Sequence, residues 1–258
     1  MMTPLWIRAL RELKLRMIFA LVMMAWSCTV VLWVSSQFDD KKPSESAIKD
    51  AIAAGFSAST IHEHDWWLIY AFSVGFTWLM MGTFLAGAGV NTQTTYGLKQ
   101  GTHPSMLYTL SLPVRRRDLV LTRSLLGALL AFGLTFLPAV VIAGLSPLLT
   151  KFPVPLHTLL IYSCFIAAGG MALYWLSVLF ASFLDEQWQL YTTWISAAFI
   201  VLLGQLTHIP VFNTFVRFST GEIWIRTHTI SWSVLAIILA LSVTCLVSAV
   251  RIVEQREY

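Results

Sequence analysis

Residues Gly101–Arg123 read GTHPSMLYTLSLPVRRRDLVLTR, a polar and basic island set between two long apolar runs, 66–90 and 119–148. A helix needs roughly 20 apolar residues to cross a hydrocarbon core, because lipid offers no partner to an unpaired backbone group. Both flanking runs reach that length, so the island joins two membrane helices and faces water on one side of a bilayer. A plain connector needs only polarity and flexibility. This one also carries a Gly-Thr pair, two prolines and a leucine-rich middle, so function is expected to pass through it.

Outward from the island, four more apolar runs fall at 17–36, 157–183, 189–209 and 230–250, giving six spans and placing both termini on one side. Composition agrees: 57% of the 258 residues are hydrophobic and 12% charged, and the mean hydropathy is +0.72. These values exclude a soluble domain and imply an all-α integral membrane fold. Of 17 cationic residues, 11 fall on the side of the termini and the island, among them Arg8, Arg11, Lys14, Arg16, Lys99, Arg115 to Arg117 and Arg251. The other 6 are Lys41, Lys42, Lys49, Lys151, Arg217 and Arg226. The positive-inside rule makes the termini and the island cytoplasmic. Because the cations sit beside apolar runs, the net charge of +4 reports orientation and contact with lipid headgroups, and no nucleic-acid partner is expected.

The flanking segments have their own patterns. Over about 3–16, Thr3 and Pro4 open a helix in which Leu5, Ile7, Leu10 and Leu13 alternate with Arg8, Arg11, Glu12 and Lys14. This is the pattern of an amphipathic helix on the membrane surface; the alternative is a basic flank that only sets orientation. The run Met17–Ser35 exceeds a signal-peptide core and lacks an A-x-A-like exit, so it is expected to be a retained helix. The polar stretch 37–64 is expected outside the cytoplasm. His62 and His64 there lack a third ligand nearby, and no metal is expected.

The third span, at about 30 residues, is longer than the bilayer requires by roughly a third. It must tilt or project its basic start into the cytoplasm, and Pro138 and Pro147 predict a kink in its second half. The segment 210–229 carries Arg217, Glu222 and Arg226 among aromatics. It is too polar to cross and too apolar for a free loop, so it lies in the outer interface or dips back as short broken helices. A tight turn at Asp185–Gln189 joins the fourth and fifth spans. Cys28, Cys164 and Cys245 read as small hydrophobes inside spans.

The chemistry left out narrows the function. No Asp, Glu, Lys or Arg falls deep in any of the six runs, whereas ion-driven transporters usually carry an intramembrane ionisable group. There is no H-E-x-x-H, no G-x-S-x-G and no G-x-x-x-x-G-K-[ST], so the chain is not expected to be an enzyme or to hold a nucleotide itself. Small residues are spaced for close helix contact at Gly82 and Ala86, at Gly127 and Ala131, and at Gly169, Gly170 and Ala172. Packing within one bundle and a subunit interface both fit these patterns.

The island resembles the cytoplasmic loop of type-2 ABC transporter permeases. In these a Gly-Thr is followed by a leucine-rich stretch, a Leu-Pro-Val turn, a basic cluster and an apolar helix. The matching residues are Gly101 and Thr102, Leu107, Leu110, Leu112 to Val114, Arg115 to Arg117, and Leu119 to Leu121. The resemblance is close over about 25 residues and extends to the layout of the whole chain. His103-Pro104-Ser105 departs from the commonest form, with Pro104 fitting the first turn of a new helix.

The resemblance implies a single permease domain over 1–258 with a coupling helix in the cytoplasmic loop 91–118, in the bacterial inner membrane. The coupling residues would be Gly101, Thr102, Pro104, Met106, Leu107, Leu110, Pro113, Arg115, Arg116 and Arg117. Its partners would be a cytoplasmic ABC ATPase that holds ATP and Mg, a second permease copy or similar subunit, and membrane lipid. The chain itself would hold no cofactor. The expected function is export of an apolar or amphipathic substrate; the alternative is a non-transporting anchor that tethers a cytoplasmic partner.

Overall fold

The computed structural model describes residues 3–38, 49, 52, 61–86, 93–96, 99–102, 115–150, 154–206, 210–227 and 229–255. Five of its helices, Leu13–Gln37, Trp66–Ala86, Arg117–Leu149, Leu156–Ala181 and Trp232–Gln255, are long and apolar enough to cross a membrane. The chain is a multi-pass, helical membrane protein.

Helix α1, Thr3–Phe38, runs unbroken for 36 residues. No glycine or proline interrupts it between Leu5 and Phe38, so the basic stretch continues the first span instead of bending away from it. At about 1.5 Å per residue it measures roughly 54 Å, far beyond the ~30 Å hydrocarbon core. Helix α2, Ile61–Ala86, packs along it.

The next described segment is extended: β1, Gln93–Tyr96, pairs antiparallel with β2, Lys99–Thr102, so that Thr94 faces Gly101. Apart from this hairpin, the regular structure among the described residues is helical.

The long third run divides into α3, Arg116–Leu134, and α4, Leu137–Leu149, at a turn over Thr135 and Phe136. Pro138 is the cause. It has no N–H to give the Leu134 carbonyl four residues back, and the chain tightens there into Thr135 N–H to Phe132 O and Phe136 N–H to Gly133 O bonds, both 3.2 Å. Pro147 lies within α4 without ending it.

Helix α5, Leu156–Ala181, is the axis of the bundle, in contact with α2, α3, α4 and the later helices. Those are α6, Glu186–Leu206; α7, Pro210–Ser219; α8, Glu222–Thr227; and α9, Trp232–Gln255. Half or more of α5 is buried against protein, including Ala167, Gly169, Gly170 and Ala172. α6 begins at Glu186, inside the stretch expected to be a turn, and its first half is polar. On α9, Val250 and Val253 meet Val120 of α3, so the C-terminal end of α9 lies beside the start of α3.

Candidate functional site

The expected coupling residues divide into those inside and outside the described chain. Gly101 and Thr102 are extended in β2, opposite Thr94 and Gln93, and β1 leans on α6. Arg115 sits immediately before α3 with extended backbone, φ −62° and ψ 132°, and its carbonyl receives the N–H of Asp118 at 3.0 Å. Arg116 opens the helix, and Arg115 and Arg117 are exposed. Pro104, Met106, Leu107, Leu110 and Pro113 lie outside the described residues.

The end of α2, the helix that precedes this segment, is held to other helices by a largely buried polar network. The last carbonyls of a helix have no partner within it and carry partial negative charge. Two such carbonyls of α2 are met by side chains from other helices. Arg16 Nη1 of α1 donates to Phe84 O at 2.5 Å, and Gln189 Nε2 of α6 donates to Thr83 O at 3.1 Å. Arg16 Nη2 also bonds Glu186 Oε1 at 2.8 Å, in the first turn of α6. Gln189 Nε2 makes a second bond, to Ser177 Oγ of α5 at 2.8 Å. Thr193 Oγ1 lies 3.2 Å from that same Ser177 oxygen, and Trp194 Nε1 donates to Thr83 Oγ1 at 3.2 Å.

Gln189 is only 1% exposed, so these bonds take the place of water. Interhelical hydrogen bonds within membranes average only about 0.6 kcal/mol each, so the network sets geometry more than it adds stability. It fastens α1, at Arg16, to the ends of α2, α5 and α6 in one joint. Two turns into α3, Arg123 is buried, although it was expected in the cytoplasmic flank. Nearby, Tyr174 donates its hydroxyl to Ser124 O at 2.8 Å, and its oxygen fills the space a Cβ on Gly127 would need.

Deeper in the bundle Trp78 lies between two glycines. A Cβ on Gly170 would sit 2.5 Å from its ring, and one on Gly82 2.9 Å from it. Trp78 Nε1 donates to Thr135 Oγ1 at 2.6 Å, and Thr135 Oγ1 in turn donates to Ala131 O at 2.8 Å. The kink between α3 and α4 is therefore pinned from α2 through a ring seated on α5. The small residues were read as seams for backbone contact, yet several of them are sockets for bulky groups.

At the far end, the α7–α8 turn is set into the middle of α5. Ser219 packs on Gly169, which is 13 residues from the start of α5, about 20 Å along its axis. Trp67 Nε1 donates to Thr220 O at 2.6 Å. Phe218 is buried and stands edge-on to Phe165, with centroids 5.2 Å apart. Gly221 closes the turn at φ +78°, a region an L side chain resists.

Across this turn Arg217 Nε and Nη2 both donate to Glu222 Oε1, at 3.0 and 2.8 Å. Those bonds raise the guanidinium's pKa further above its ordinary value, against a smaller opposing effect of burial. The six runs lack deep charge, and this turn brings a charged pair into the bundle from between them. Opposite charges flanking Ser-Thr-Gly were the available signal.

Among the described residues no group of three His, Cys, Asp or Glu could hold a metal ion. The arrangement links helices mechanically through side-chain bonds to helix-end carbonyls. Comparison with protein-family models, curated proteins and solved structures finds no match for the chain.

Proposed function

We propose that the chain is the membrane permease of an ATP-driven exporter of the ABC type, with α6 as its sixth span. A separate ATPase, holding ATP and Mg, would dock at the 101–117 segment in the cytoplasm, in a bacterial inner membrane. The permease would work with a second copy or a similar subunit, with an apolar or amphipathic cargo passing between them.

The observation that carries this reading is Arg16. It joins the last turn of α2, directly before the 87–115 connection, to the first turn of α6, while α3 starts directly after that connection. A push on the connection would be shared by α1, α2, α3 and α6 together, the behaviour required of a point where ATPase motion enters a membrane bundle. At 21 residues α6 measures about 31 Å, enough for a span. Its polar first half is accounted for by the joint it buries.

The test is affinity purification of the tagged chain from its source cells, with mass spectrometry of what comes with it. An ATPase bearing a phosphate-binding loop should co-purify with the wild type and be lost from Leu107→Asp/Leu110→Asp. If the ATPase still co-purifies with the double variant, the docking site is elsewhere.

A further inference from the structure

Gly133 stands directly before the turn between α3 and α4, with nothing within 4 Å of where a Cβ would be. No neighbour requires a glycine there, so what it supplies is backbone freedom, five residues before the proline that interrupts the helix. Beyond the turn, α4 buries a narrow edge of Pro138, Ala139, Ile142 and Ser146, with no aromatic side chain to key it in place, while Val140, Leu148 and Leu149 are exposed. It rests on α1 and α5 more than on α3. Among the described residues two buried side-chain oxygens have no hydrogen-bond partner, Ser124 Oγ on α3 and Ser146 Oγ on α4, so one falls on each arm of the bend. Each costs free energy in this position. Against them stands the bond that Trp78 Nε1 of α2 gives to Thr135 Oγ1, at 2.6 Å, in the turn itself. The bent position is therefore penalised along its arms and held at its centre.

We propose that Gly133–Pro138 is a hinge and Trp78 its latch. α4 takes two positions relative to the rest of the bundle. In the latched one, which this structure holds, Thr135 receives the indole N–H; in the released one that bond is broken and α4 has swung about the turn. The ring keeps its socket between Gly82 and Gly170 in both, so Trp78 is a fixed post and Thr135 the part that moves. A change of about 20° in the bend, the scale at which helix kinks count as sharp, matters most far from the turn. Ser146 lies 11 residues beyond Thr135, about 16 Å along the axis, and would move by about 6 Å. That is about one helical turn of a neighbour, enough to bring its hydroxyl to a different acceptor. The hinge needs no ATPase, so it stands or falls apart from the export reading.

The experiment is double electron–electron resonance on the purified full chain in bicelles, with Cys28, Cys164 and Cys245 replaced by alanine. Spin labels go at Phe72→Cys of α2 and Leu148→Cys of α4, two side chains that are each 80% exposed. Leu148 lies 13 residues beyond Thr135, about 20 Å, so its label should move by about 7 Å between the two positions. Trp78→Phe keeps a ring and loses the N–H, and should raise the released population about threefold relative to the latched one, the effect of one interhelical hydrogen bond within a membrane. Adding Gly133→Ala should return the distribution toward that of the wild type, because alanine favours the helical backbone that Gly133 has in the latched position. A control pair, Phe72→Cys with Leu129→Cys on α3 before the hinge, should keep its wild-type distance. The proposal is overturned if the distance to Leu148 is the same in the wild type and Trp78→Phe. It is equally overturned if both label pairs change alike, the result that loosened packing alone would give. Should Trp78→Phe not fold, Thr135→Val keeps the shape of the turn, removes the acceptor and carries the same expectations.

Discussion

Gly170→Ala asks whether Trp78 is held in place or merely present. The added Cβ would lie 2.5 Å from Cε3 and Cζ3 of Trp78 and 2.7 Å from Cδ2, where carbon contacts rest at about 3.5–4.0 Å. The ring must therefore move by about 1 Å. Gly82 limits one escape, since even its own Cβ position lies 2.9 Å from Cζ3. Movement the other way stretches the 2.6 Å bond from Nε1 to Thr135 beyond useful length. Overpacking of this kind costs about 1–3 kcal/mol, and the loosened hydrogen bond adds about 0.6 kcal/mol in a membrane setting.

Helix propensity pulls the other way, favouring alanine by about 1 kcal/mol, so net destabilisation should be about 1–3 kcal/mol. Reversible SDS unfolding in bicelles, followed by circular dichroism, measures it. The decisive feature is the sign in a second background: with Trp78→Leu already present, space opens and Gly170→Ala should become stabilising by about 1 kcal/mol. A cost that is the same in both backgrounds, or none in the wild type, refutes the socket.

Gln189→Leu leaves Thr83 O without its side-chain donor and removes the shorter of the two bonds to Ser177 Oγ, and should cost about 1–2 kcal/mol in the same unfolding assay; a neutral result would mean the network is idle. Gly221→Ala, at φ +78°, should cost about 1–2 kcal/mol, and Gly221→Asn less, because asparagine accepts left-handed backbone more readily. Equal costs for the two would point to crowding in place of backbone conformation. Arg16→Gln should leave ATPase association intact while weakening cargo stimulation of ATP hydrolysis by about 5- to 30-fold, the effect of losing about 1–2 kcal/mol of coupling. Unchanged stimulation would remove Arg16 from the joint's proposed role.

The spans were legible because hydrocarbon imposes a crude rule on them. Uninterrupted apolar length marked the five long helices, and Pro138 marked the place where the third run breaks. What the pattern hid were the contacts between helices. Gln189 reads as part of a polar turn, yet it is buried because the end of α2 supplies it a carbonyl from 106 positions away in sequence. Arg16 and Arg123 look alike as flanking cations, but the first bridges three helices and the second is buried, differences set by helix rotation.

The small residues do admit close backbone approach, Gly127 to Leu85 and Gly169 to Ser219, but their nearest neighbours are side chains. Gly170 and Gly127 announce that something comes close without saying it is an indole or a phenol. Arg217 and Glu222 were both visible in the 210–229 segment, but their pairing was not, because it depends on the turn that Gly221 closes. Of the coupling residues, the sequence pattern is the whole argument for Leu107 and Leu110, which lie outside the described chain.

The central claim is that the 101–117 segment is where energy enters the bundle, and ATP hydrolysis by the complex purified through this chain measures it most directly. The wild-type complex in lipid vesicles should hydrolyse ATP, and the preparation from Leu107→Asp/Leu110→Asp should have no activity above background. Hydrolysis that survives the double substitution at the wild-type rate, or a wild-type preparation with no ATPase activity at all, would contradict the account.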